Sequence, residues 1–203
     1  MVAILVLSNQ NLNINFAKKK LIPQTLGVLR VKISKVIIHF HGGAFISQSS
    51  LTHQSYTRRW SKELGVPFFS VDYRLAPKNP YPDPVNDAYQ GYYWILTQAN
   101  KHFGMDIDDV VIVGDSAGGE LAVAVSLLAV LRNFKKPAGI VLPYPLCSSN
   151  INHFMPSSLL TIDDQLLQSN VMVYVSTAFT KNGGDPTKNC ILSPIYTPRF
   201  LLK

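Results

Sequence analysis

The sequence predicts an α/β fold, a mostly parallel sheet with helices on both faces. From residue 31 onward, short β-branched apolar segments alternate with segments of helical spacing. The strand candidates are apolar on both faces, as strands are when a parallel sheet is covered on each side. Hydrophobic residues make up 47% of the 203 and charged residues 15%, enough to bury the core of one domain.

The elements follow in order. "MVAILVLS" is a short apolar start without a basic flank, which argues against a signal peptide and fits a strand. Residues 1–30 are expected as an N-terminal segment, a cap or a strand, with the main domain over 31–203. "VKISKVIIHF" (31–40) predicts a strand, broken by "HGGAF". In 51–65, Tyr56, Trp60 and Leu64 recur at helical spacing, and Gly65 is a stop. "VPFFSVDY" (66–73) predicts a second strand. Pro77, Pro80, Pro82 and Pro84 make 74–84 a loop. A helix over 85–104, a strand over 107–114, a helix over 119–134 and a strand over 138–146 come next. A last helix is expected over 161–179. The chain shows no internal repeat and no low-complexity tract.

Charge and cysteine content narrow the function classes. Residues 1–62 hold nine Lys or Arg and no acid, whereas 63–203 are near neutral. Such a basic segment could touch a lipid surface, but only Lys18, Lys19 and Lys20 form a dense run. No aromatic–basic interleaving accompanies them, so a nucleic-acid partner is not expected. Cys147 and Cys190 form neither a CxxC pair nor a metal-spaced cluster, and read as reduced thiols of a cytoplasmic protein. No apolar run reaches the ~20 residues of a membrane-spanning helix.

The chemistry centres on "VVIVGDSAGGELAVAVSLL" (110–128). Gly114-Asp115-Ser116-Ala117-Gly118 fits G-x-S-x-G, with an apolar strand before it and an apolar helix after it. A sharp strand-to-helix turn presents the Ser116 hydroxyl above the sheet. Gly114 and Gly118 let strand and helix approach. The following helix N-terminus favours an anion beside the serine. His41-Gly42-Gly43-Ala44 directly follows a predicted strand. There the N–H groups of Gly42 and Gly43 could join that of Ala117 in an oxyanion hole.

"IIHFHGGAF", "VDYRLAPKNPYPDPVNDA" and "GDSAGGELA", with "MPSSLLTIDDQLL" (155–167) and "LSPIY" (192–196), resemble the hormone-sensitive lipase family of α/β-hydrolases, nearer its eukaryotic lipases than its bacterial esterases. The resemblance covers roughly residues 31–200. It implies an α/β-hydrolase fold and a carboxylic ester hydrolase acting on acylglycerols or other lipophilic esters, with no metal or organic cofactor and with possible lipid-droplet association. It makes Ser116 the nucleophile, Gly42, Gly43 and Ala117 the oxyanion donors, and Asp72, Tyr73, Arg74 and Asp115 scaffold. Where this family usually carries asparagine, the chain has Glu120. A buried carboxylate there would oppose charge growing on an oxyanion.

The expected triad order is serine, acid, histidine. After Ser116 the sequence holds one histidine, His153, in a loop-like stretch. His39 falls in a predicted strand and His41 in the glycine loop. His53 and His102 fall in helix patterns with no anchoring acid motif. No acid and base are found for Ser116 in this chain. The resemblance places them past "LSPIY", so a C-terminally incomplete hydrolase domain is expected, poorly soluble and inactive as a fragment. The alternative is a non-catalytic homologue that holds a small ligand in the same pocket.

Overall fold

The computed structural model describes residues 2–8, 34–150, 164–165, 167–181 and 184–201. Lys18–Lys20, His153 and most of the 155–167 motif lie outside the described residues.

Five strands form one sheet in the order β1-β3-β2-β4-β5, with β1 Ala3–Leu7, β2 Lys35–Phe40, β3 Phe68–Asp72, β4 Asp109–Gly114 and β5 Gly139–Val141. Strands β2 to β5 pair in parallel. Strand β1 pairs antiparallel with β3, Ala3 opposite Asp72 and Leu7 opposite Phe68. Of the two expectations for the N-terminal segment, Ala3–Leu7 take the strand.

The helices α1 Gln54–Leu64, α2 Asp83–Phe103, α3 Ala117–Leu131 and α4 Ser169–Thr180 follow the predicted pattern, with shifted ends. Gly65 and Gly104 terminate α1 and α2 in left-handed conformation. Helix α2 starts before its expected position because Pro84 sits in the first turn, where the missing N–H has no helical partner to lose. Among the described residues no helix is long and apolar enough to cross a membrane.

Strand alternation sorts β2 to two sides. Val36, Ile38 and Phe40 enter the main core with residues of α2 and α3 such as Tyr92, Ile95, Leu121 and Val125. Ile37 enters a smaller cluster with Phe68 and Val113, packed by Trp60 of α1. His39 points to this second side, its Nδ1 2.7 Å from Oγ of Ser70, its register partner on β3.

The predicted strand over 138–146 is corrected: β5 ends at Val141. Pro143 and Pro145 cannot donate to a ladder. The chain instead wraps the turn after β4, with Ser116 N–H donating to Pro143 O at 3.2 Å and Leu146 N–H donating to Ser116 O at 3.0 Å.

Candidate active site

Ser116 stands between β4 and α3 at φ 53° and ψ −118°. A non-glycine residue there stores roughly 1–3 kcal/mol of strain and persists only where its surroundings hold it. The clamp by Pro143 and Leu146 supplies that constraint. Two glycines permit the geometry. A Cβ on Gly118 would overlap the carbonyl oxygens of Phe40 and His41, and one on Gly114 would overlap Gly118 itself. The first turn of α3 therefore lies flush against the end of β2, where the glycine loop begins.

In that loop Gly43, Ala44 and Phe45 all have positive φ, at 113°, 57° and 61°. Successive N–H groups in such a turn form a concave, anion-favouring surface. The loop closes on itself through Ile46 N–H and Ser47 N–H to Gly43 O, at 3.1 and 3.0 Å. Phe45 is fully buried and stacks on Phe179 of α4 with ring centroids 3.7 Å apart.

One donor assignment is corrected. Gly42 N–H donates to Asp115 Oδ1 at 3.2 Å, so it is committed inside the protein and is not an oxyanion donor. Gly43 and Ala117 have no protein acceptor for their N–H among the described residues.

Around Asp115 lies a polar cluster. Tyr56 O–H donates to Asp115 Oδ1 at 3.0 Å, and His53 Nε2 lies 3.5 Å from the same oxygen. His39 Nε2 lies 3.9 Å from Asp115 Oδ1 but bonds the Tyr56 oxygen at 2.7 Å. Burial alone would raise the Asp115 pKa. The histidines and Tyr56 outweigh it and hold the carboxyl far below the usual range. Desolvation lowers the pKa of His39 and pushes that of His41 down to about 4. The expectation that His53 lacks an anchoring acid is corrected too. It precedes α1 and faces Asp115, a partner 62 residues away that no local spacing reveals.

Other motif residues brace this frame. Asp72 accepts Ser50 N–H and Oγ–H at 2.6 and 2.7 Å. Tyr73 O–H donates to His41 O at 2.6 Å, and its ring stacks on His41 at 4.2 Å. Arg74 holds Asp87 with two side-chain bonds, at 2.8 and 3.0 Å. Glu120 is 1% exposed, its Oε1 3.4 Å from Ser149 Oγ. Burial drives its pKa well above the ordinary value, which favours the neutral acid.

No described histidine bonds Ser116. His39 is engaged with Ser70 and Tyr56, His41 with Gly42 O at 2.7 Å, and His53 with Ser49 and Asp115. His102 stacks on Trp94.

A strained serine between a parallel strand and a helix, facing a loop of positive φ, defines an α/β protein built around a nucleophile elbow. The chain belongs to the alpha/beta hydrolase fold family, whose model matches residues 37–202. It is 36% identical to the hormone-sensitive lipase of Mus musculus over 145 residues, 71% of this chain and 19% of that protein. It is 36% identical to an arylesterase of Saccharolobus solfataricus over 132 residues, 63% of this chain and 43% of that one. The crystal structure of a hormone-sensitive lipase from a metagenome library superposes with a TM-score of 0.70 at 34% identity, covering 81% of this chain and 54% of that chain. Carboxyl esterase 2 of Tuber melanosporum gives 0.77 at 27% identity, covering 85% and 55%. The chain thus spans about a fifth of the mouse lipase and about half of the solved esterases.

Proposed function

We propose that the protein hydrolyses lipophilic carboxylic esters through an acyl-enzyme on Ser116. The observation that carries this is the backbone of Ser116, held at φ 53° between β4 and α3. Ser116 Oγ attacks the ester carbonyl, and the alcohol leaves as the acyl group passes to the serine. Water then releases the acid. The N–H groups of Gly43 and Ala117 stabilise the oxyanion, an interaction whose loss typically costs about 2.7–4 kcal/mol in the transition state. Relatives named lipase, arylesterase and ethyl acetate hydrolase support an ester substrate. The free thiols Cys147 and Cys190 suit a cytoplasmic setting. Contact of the basic residues 1–62 with a lipid droplet extends this reading.

A second reading, small-ligand binding without turnover, is favoured by one observation: no described histidine bonds Ser116. Hydrolysis of p-nitrophenyl butyrate, compared with the Ser116→Ala variant, separates the two. Turnover that Ser116→Ala abolishes establishes the esterase. Saturable binding of the ester without turnover establishes the binder. Turnover that survives Ser116→Ala rules out the proposed nucleophile.

A further inference from the structure

His53 is not part of the G-x-S-x-G motif or the glycine loop, yet both its ring nitrogens face acceptors. Nδ1 lies 3.1 Å from Ser49 O and 3.1 Å from Thr52 Oγ1. The Thr52 hydroxyl lies 2.8 Å from Ser49 O, and with its proton there it accepts from His53. On the other side Nε2 faces the Asp115 carboxylate at 3.5 Å. A neutral imidazole carries one N–H and cannot donate on both sides, whereas the imidazolium can.

We propose that His53, as its imidazolium, is a positioning residue for the oxyanion loop: it holds the Asp115 carboxylate, which holds Gly42 N–H and so sets the Gly43 N–H beside Ser116. This rests on the esterase reading for its catalytic consequence, but not for its geometry.

The surrounding groups leave the proton on His53. His39 of β2 is 5.5 Å away ring to ring, and its hydrogen bonds fit the neutral form, Nε2–H donating to Tyr56 and Nδ1 accepting from Ser70. His41, 5.7 Å away, donates Nδ1–H to Gly42 O, and its Nε2 faces Asp72 of β3 at 3.9 Å. Tyr56 of α1 keeps its proton for Asp115. Burial works against a charge on His53, but Asp115 and the Ser49 carbonyl outweigh it and raise its pKa above the ordinary 6.5. When pH rises through that value, Nε2 turns a lone pair toward the carboxylate. The pull that holds Asp115 against Gly42 then weakens.

The test is an NMR titration of the intact protein, following the His53 ring and the Gly42 amide, with a kinetic arm. The expected result is a His53 midpoint above 6.5, with the Gly42 amide proton titrating at that same midpoint. In Asp115→Asn the His53 midpoint falls, and in His53→Gln the Gly42 amide loses its pH dependence. Turnover of p-nitrophenyl butyrate should lose about tenfold in kcat across the same midpoint, with KM unchanged, a part of the roughly 10²–10³ lost on removing a donor outright. His53→Gln lacks that alkaline limb. A His53 midpoint at or below 6.5, or a Gly42 amide that does not follow it, overturns the proposal. If the protein turns over no ester, the esterase reading fails, and the titration alone still decides the His53–Asp115–Gly42 linkage.

Discussion

Asp115 Oδ1 accepts the N–H of Gly42 at 3.2 Å, across 73 residues of sequence. One neighbour of the carboxylate in the chain is Ser116, and one neighbour of Gly42 is Gly43. That hydrogen bond ties the two halves of the site together, alongside the pairing of Phe40 with Gly114 and the packing of Gly118 on Phe40 and His41. Replacing Asp115 by alanine leaves Gly42 N–H and the Tyr56 hydroxyl without their acceptor and His53 without its counter-charge. Removing one partner of a buried pair costs about 3 kcal/mol or more. Asp115→Ala should lose about 3 kcal/mol in urea unfolding and most of the proposed esterase activity. Asp115→Asn, which keeps one oxygen acceptor, should retain more stability. An Asp115→Ala protein as stable as the parent contradicts the bracing role.

Gly118 tests the packing of the elbow against β2. Its missing Cβ leaves room for the carbonyl oxygens of Phe40 and His41, both backbone atoms that cannot swing aside. In an exposed helix Gly→Ala stabilises by about 1 kcal/mol. Here the sign reverses, because the added carbon meets main chain and forces α3 away from the sheet. Gly118→Ala should destabilise by about 1–3 kcal/mol, as overpacking does. Thermal unfolding checks it, and a raised Tm would show that α3 can move without cost.

The strand–Ser–helix elbow was legible because its signal is local. Apolar strand, two glycines and apolar helix lie in one stretch, and the structure places β4, Ser116 and α3 there. The parallel sheet was legible for a similar reason, since β2, β3 and β4 each read as short apolar runs. Pairing across distance was not. Nothing in "HGGAF" shows that Gly42 is engaged by Asp115, and nothing in "LTHQSY" shows that His53 reaches the elbow. The length of β5 failed for a chemical reason, because apolar content masked two prolines that end the ladder.

Glu120 makes a pH prediction with a definite sign. In the unfolded chain a glutamate ionises above about 4.3. In the folded protein burial holds Glu120 protonated well above that, with Ser149 Oγ at 3.4 Å as its near partner. Between the two values the folded state binds the extra proton, so stability falls as pH rises, by up to about 1.4 kcal/mol per pH unit. Glu120→Gln keeps the shape and removes the ionisation. Relative to the parent's, its unfolding free energy should rise with pH above about 4.3 and be higher at pH 8. His53, whose folded pKa is also raised, loses its stabilising contribution only as pH climbs through its own folded value above 6.5. The slopes that remain in Glu120→Gln come from the buried His39 and His41, whose lowered pKa values make stability rise with pH up to 6.5, and from His53 above it. An unchanged slope between pH 5 and 6 would show that Glu120 is ionised in the fold.

Phe179 ties α4 to the glycine loop. Its ring lies parallel to Phe45 within 3° at a centroid distance of 3.7 Å, Tyr81 meets it edge-on at 6.0 Å, and Phe179 O accepts Tyr81 N–H at 2.8 Å. Phe45 follows Gly43 and Ala44 directly and shares their positive φ, so the stack backs the segment that presents the proposed oxyanion donor. Truncating a buried phenylalanine costs about 3–5 kcal/mol. Phe179→Ala should lose that much, and hydrogen exchange should speed up at residues 43–47, where Ile46 and Ser47 N–H close the loop. The β4–α3 elbow is clamped by Pro143 and Leu146 rather than by Phe179, so its protection should fall only with global stability. Equal loss of protection in both segments would mean that the stack supports the whole domain and not the loop in particular.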